Sequence, residues 1–172
     1  MPERTKKVER ILGIDPGFGR TGFGVIENRS GEWKAVCYGC IETFPENCFV
    51  DRLEELHNEL TKIIKKYQPT RAGVEELFFF KNEKTAIKVG EARGVILLTL
   101  RQFKIEIDEF TPLQVKQAIT GYGKAEKCQV EKLIQMQFGI KKRIKPDDAA
   151  DALAVALTCG AGLKLKKKMQ NR

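Results

Sequence analysis

Several carboxylates in this chain stand where a regular element seems set to begin or end. Asp15 closes the apolar run Ile11-Leu12-Gly13-Ile14 and is followed at once by Pro16 and Gly17. Glu75 or Glu76 closes a second run, Arg71-Ala72-Gly73-Val74. Asp147, Asp148 and Asp151 follow Pro146 and lead into an alanine-rich stretch. The three-residue spacing of Asp148 and Asp151 puts both on one helix face. Each acid has a structural explanation when taken singly. Asp-Pro-Gly is turn chemistry, and acids in a first helical turn satisfy free N–H groups and suit the helix dipole. Brought together, they make a hard-oxygen cage suited to Mg²⁺ or Mn²⁺.

The surrounding charge narrows the chemistry. Lys and Arg number 31 against 23 Asp and Glu, a formal net charge of +8. That excess favours a polyanionic partner, either nucleic acid or an acidic membrane surface. Acids repel phosphates and bases attract them. Both needs are met if divalent ions bridge the carboxylates to a phosphodiester. In the two-metal arrangement one ion activates water and the other stabilises the leaving oxygen, with the ions roughly 3.5–4 Å apart. Other chemistries lack material. The one histidine, His57, lies in a polar helical segment and reads as a surface residue, so no His-based triad or zinc site can be assembled. Five cysteines form no disulfide framework, and Cys37-x-x-Cys40 has no second pair. No apolar run is long enough to span a bilayer. The opening MPERTKKVER has no signal-peptide core. A cytoplasmic protein with no membrane partner is expected.

The elements that must position these acids follow from periodicity. Residues 10–15, about 20–27 and about 33–42 alternate as three strands joined by Gly-rich turns. Leu53, Leu56, Leu60, Ile63 and Ile64 mark a helix over 50–67, stopped before Pro69. A strand at 71–75, a helix at 84–101 and a strand around Ile105 and Ile107 come next. Helices at 112–120 and 125–138 follow, and Pro146 opens a last helix running to Cys159. Three consecutive strands followed by strand–helix alternation imply an α/β fold. Its mixed five-stranded sheet has an antiparallel meander, then parallel strands, flanked by helices. If the strands ending at Asp15 and at Glu75 lie side by side and parallel, their carboxylates meet. One domain over 1–172 is expected, with a flexible basic leader (1–9) and a flexible basic tail (163–172).

Four segments in order, ILGIDPGFGRTGFGVIE, GVEELFFFKNEKTAIKVGEARGV, QVKQAITGYGKAEKCQV and DDAADALAVAL, resemble the RuvC family. These are the bacterial Holliday-junction resolvases (crossover junction endodeoxyribonucleases), with a ribonuclease H-like fold. The resemblance implies that the catalytic, metal-holding acids are Asp15, Glu75, Asp148 and Asp151, with Asp147 a bystander. It implies two Mg²⁺ per active site, with Mn²⁺ as a substitute. Lys116 and Lys127 are expected to hold junction phosphates, and Phe78 to stack on bases at the junction centre. Lys81, Lys84, Lys88 and Arg93 offer a cationic path beside the Phe78-Phe79-Phe80 run. Gly90 and Gly94 resemble positions on a dimer-interface helix, with packing on the chain's own sheet as the alternative. The implied partners are four-way junction DNA, a second copy of the chain and a branch-migration motor complex. The glycines after Asp15 are expected to leave room for a DNA backbone. Three rivals are weaker. A phosphotransferase of the actin and sugar-kinase superfamily would need a longer chain and a second phosphate loop. GYGKAEK supplies none, because Ala118 stands where a P-loop has glycine. A junction-binding protein without cleavage would leave the acids unexplained. A ribonuclease acting on RNA–DNA hybrid would share the fold.

Overall fold

The computed structural model describes residues 8–77 and 83–170, without the side chains of 83–84 and 164–170. Its elements run β1 (Arg10–Asp15), β2 (Arg20–Arg29), β3 (Glu32–Glu42), α1 (Phe49–Tyr67), β4 (Arg71–Glu75), α2 (Glu83–Gln102), β5 (Glu106–Phe110), α3 (Pro112–Thr120), α4 (Lys127–Phe138) and α5 (Asp147–Gln170). The five strands form one sheet in the order β3-β2-β1-β4-β5. β1 to β3 pair antiparallel, while β4 runs parallel to both β1 and β5. This is the mixed sheet that the strand order implied.

Side-chain alternation along β1 builds a core on each face of the sheet. Leu12 and Ile14 join Leu56, Leu60 and Ile64 of α1 and Ala92, Ile96 and Leu100 of α2. Ile11 faces the other way, toward α5 and the α3–α4 pair. The α1 residues recur every four positions, so one stripe of the helix is apolar and buried. Local signals set the ends of α3. Thr111 and Gln114 close a capping box, Pro112 starts the first turn, and Gly121 ends the helix at a φ of 74°.

Glycine sets how closely α5 lies on the sheet. A Cβ on Gly13 would sit 2.0 Å from the Ala152 carbonyl oxygen, and one on Gly22 would sit 2.0 Å from that of Asp148. Gly24 and Gly73 are crowded by Leu153 and Val155 of the same helix. The expectation that the glycines after Asp15 make room for DNA is therefore corrected. Gly22 and Gly24 make room for α5, and Gly17 turns tightly on Arg20. Helix α5 also runs eleven residues past the expected stop at Cys159, to Gln170. No proline interrupts that stretch, and Lys, Leu and Met are good helix formers. Gly160 sits under the Trp33 ring, where a Cβ would come within 2.6 Å of it. A Cβ on Gly90 or Gly94 of α2 would meet nothing within 4 Å among the described residues, so close packing on the chain's own sheet does not require glycine at either position.

Candidate active site

Parallel pairing of β1 and β4 in the register Ile14↔Val74 carries both strands out of the sheet at the same level. The next residue on each is an acid, Asp15 and Glu75. Helix α5 begins against this same sheet end, because Gly22, the partner of Asp15 on β2, seats its first turn. Asp148 and Asp151 are thereby brought to the two strand tips. The four carboxylates come from three distant parts of the chain and act on one another electrically. Burial is the main cause that pushes the pKa of Asp15 up to about 8, and the charges of Glu75, Asp151 and Asp148 add to it. Glu75 is pushed to about 7, again by burial first and Asp151 second. A hydrogen bond joins the Asp15 and Glu75 carboxyls, so the two titrate as a pair. Burial raises Asp151 as well, opposed by Lys127.

Lys127, the first residue of α4, reaches Asp151 with its ammonium 2.6 Å from a carboxylate oxygen. Burial works against its charge, but the hydrogen bond and charge of Asp151 outweigh it and raise its pKa. Lys116, on α3, joins Glu75, Lys127 and Asp151 around a cavity of about 180 Å³. Asp147 behaves differently from its neighbours. Its side chain is 51% exposed and lies 3.5 Å from Arg143. Glu76 extends beyond β4, and its backbone N–H bonds the Phe110 carbonyl.

Other expected residues fall elsewhere. Phe78 and Lys81 lie outside the described residues, as does the Lys84 side chain. Arg93, expected on a DNA path, is turned inward: its Nε donates to the Glu75 carbonyl oxygen at 3.4 Å, and it pairs with Glu109. Arg93 thus braces the end of β4. His57 is not a plain surface residue, since its Nδ1 is 2.8 Å from the Thr99 hydroxyl, bridging α1 and α2. One residue at this end carries no sequence signal beyond its spacing from Cys37. The Cys40 thiol on β3 lies near Asp148 and is pushed up to about 11, by burial first and that charge next.

Among the described residues no three such side chains yet stand in metal-binding geometry. Asp15 and Glu75 are bound to each other and Asp151 is bound to Lys127. The donor set nonetheless fits a hard cation: only carboxylate oxygens are offered, and their mutual repulsion, which a cation relieves, is written in the raised pKa values.

Comparison with known proteins bears on which hard-cation chemistry this is. The family profile described as "Crossover junction endodeoxyribonuclease RuvC" matches residues 11–159. The chain belongs to the RuvC family. All four acids lie within the matched span. A RuvC of Caldicellulosiruptor saccharolyticus is 54% identical over 149 residues, covering 86% of this chain and 90% of that protein. The solved structure of Thermus thermophilus RuvC superposes with a TM-score of 0.83 at 30% identity, covering 91% of this chain and 96% of that one. A second structure, T. thermophilus RuvC in complex with Holliday junction substrate, gives a TM-score of 0.81 at 31% identity, over 87% of this chain and 92% of that one. The ribonuclease H-like fold of these RuvC structures is thus the fold of this chain, and its class of activity is that of a crossover junction endodeoxyribonuclease.

Proposed function

We propose that this RuvC-family chain resolves four-way DNA junctions by paired symmetric nicks, using Mg²⁺ held by Asp15, Glu75, Asp148 and Asp151. The carrying observation is the crowding of these acids at one sheet end, next to Lys116 and Lys127, in a protein of charge +8. Bound Mg²⁺ would supply a water of lowered pKa and charge stabilisation at the leaving oxygen. The chain's own part is to hold four carboxylates on rigid strand tips and one helix, so that little reorganisation is needed when the phosphate arrives. Lys127 balances Asp151 and, with Lys116, draws the phosphodiester into the cavity between α3, α4 and β4. Water then bonds to phosphorus and the bond to the 3′ oxygen breaks, leaving a 5′-phosphate and a 3′-hydroxyl. Phe78 is assigned to stack on junction bases.

A homodimer places two identical sites on a substrate of two-fold symmetry. The α2 stripe of Ile87 (74% exposed), Gly90, Gly94 and Leu98 (59% exposed) supports this arrangement, because among the described residues nothing lies within 4 Å of where a Cβ on either glycine would be. The family resemblance adds a branch-migration motor complex as a partner, and a DNA substrate implies a cytoplasmic site of action. No described helix is long and apolar enough to cross a membrane. The deciding experiment offers labelled four-way junction, linear duplex and RNA–DNA hybrid, with Mg²⁺ or with EDTA. Paired nicks in the junction alone, abolished by EDTA, are expected. Cleavage of hybrid in preference to junction would reject the reading.

A further inference from the structure

Lys116 and Lys127 approach the acids from only one side of the sheet, the side covered by α3, α4 and α5. Across the sheet lie α1 and α2, and they carry a second cationic group, in which Lys88, expected on a cationic path, is joined by Arg52, a residue the sequence did not single out. Phe18 belongs to the loop that follows Asp15. The Arg52 guanidinium lies 4.9 Å above its ring centroid. Lys88, on α2, places its ammonium 5.8 Å from the Phe18 ring centroid and 5.5 Å from that of Phe49. The two rings meet edge to face at 6.0 Å. Two cations from two helices are thus seated on one aromatic pair.

The arrangement is tied to the Asp15 loop. Thr43 donates its hydroxyl to the Phe18 carbonyl at 2.9 Å, and its backbone N–H to the Gly19 carbonyl at 3.2 Å. Arg52 Nε in turn donates to the Thr43 hydroxyl at 2.9 Å. A Cβ on Gly19 would lie 3.2 Å from Arg52 Nη2, so glycine there lets the guanidinium sit against the loop.

Among the described residues, neither cation lies within salt-bridge distance of an acid. Arg10, Arg20, Arg29, Arg71, Arg93, Arg143 and Lys127 each lie within salt-bridge distance of a carboxylate. Arg52 and Lys88 have no such partner among the described residues. A ring face holds a cation in place without using up its N–H edges. An arginine held this way keeps donors for the forked recognition of a phosphate.

We propose that Arg52 and Lys88, seated on Phe18 and Phe49, form a second phosphate-binding site for the junction strand, across the Asp15 loop from Lys116 and Lys127. The inference rests on the junction reading above. A strand passing over the sheet end would then be gripped on both sides of the acids, which fixes the scissile phosphate along its own path.

The test measures junction binding by fluorescence anisotropy in EDTA, as a function of KCl, with the full-length protein. Removing one cation from a phosphate flattens the plot of log K against log salt by about 1. Arg52→Gln and Lys88→Gln should each show that change. The double variant should flatten the slope by about 2 and bind roughly tenfold more weakly at moderate salt. Arg52→Lys should recover part of the slope, because it keeps the charge. Lys62→Gln removes one charge from α1 at a place already paired with Glu59 and should leave the slope unchanged. Lys88 is exposed, so its variant remains informative if Arg52→Gln fails to fold. Wild-type protein that neither binds nor cuts the junction overturns the functional reading, and this site with it. Wild-type protein that cuts, beside folded Lys88→Gln protein of unaltered slope and affinity, overturns this site alone.

Discussion

The two ends of the central sheet use the same residue types to opposite purpose. Toward the end where β1, β4 and β5 begin, Glu27, Glu106 and Asp108 each meet an arginine. Glu27 lies 2.7 Å from Arg10 and 2.9 Å from Arg29, and Asp108 lies 2.7 Å from Arg71. Glu106 pairs with Arg71 too. Hydrogen bonds from Arg29 and Arg10 pull the pKa of Glu27 down. At the end where β1 and β4 finish, Asp15, Glu75, Asp148 and Asp151 crowd together, and among the described residues the one ion pair made to these four is that of Lys127 with Asp151. Burial and mutual repulsion push Asp15 and Glu75 up. Charge that is matched inside the chain serves the fold. Charge left unmatched at a buried position costs stability, and it persists where an outside cation is to complete it.

The comparison is broken most directly by Asp15→Asn. Removing a carboxylate proposed to hold metal should lower junction cleavage by about 10³-fold or more, while junction binding stays near the wild-type value. The same change should raise the melting temperature of the metal-free protein. Between the ordinary pKa of 3.8 and the folded value of about 8, the native state binds more protons than the unfolded state. Metal-free stability therefore falls as pH rises through that window. Thermal melts in EDTA at several pH values check this; a wild-type melting temperature that climbs steadily from pH 5 to 8 contradicts it.

The seat of α5 comes next in size. Gly13→Ala forces a Cβ to 2.0 Å from the Ala152 carbonyl oxygen, which should cost about 3 kcal/mol. Urea denaturation measures it, and a loss below about 1 kcal/mol would show that the helix can lift away cheaply. At the opposite sheet end, Glu27→Gln should cost about 1–2 kcal/mol and leave cleavage at permissive temperature unchanged. The contribution of Glu27 is present above its ordinary pKa of 4.5 and lost as pH falls through its lowered folded value. Variant and wild type should thus converge in stability in acid. The smallest effect belongs to Asp147→Asn. An exposed acid beside Arg143 contributes little, so cleavage should stay within about twofold. Asp148→Asn should resemble Asp15→Asn, and equal losses for Asp147 and Asp148 would overturn the distinction between them.

Much of this site is legible in the chain itself because its acids mark element ends. Asp15 follows four apolar residues and precedes Pro-Gly, so its strand has to stop there. Asp148 and Asp151 share a helix face at the start of an alanine-rich run. Arg93 and His57 depart from expectation because a pattern reports the face of a helix, not the partner that packs on it. Helix α5 exceeds its expected length because a basic tail reads as solvated whether or not it is helical. Phe18 and Arg52 give no signal: one is an aromatic in a glycine loop, the other a charge on an amphipathic helix.

Sequence alone determined the order of strands and helices, the mixed sheet, the candidate acids at element ends and the basic surplus. These follow from local periodicity, turn chemistry and net charge, which need no long-range information. The family resemblance narrowed those acids to four. Tertiary structure alone decided which acids meet. Parallel β1–β4 pairing set Asp15 beside Glu75, and a helix resting on glycines brought Asp148 and Asp151 to them. The raised pKa values exist only because four carboxylates distant in the chain share one buried place. That proximity is a property of packing, and no single stretch of residues encodes it.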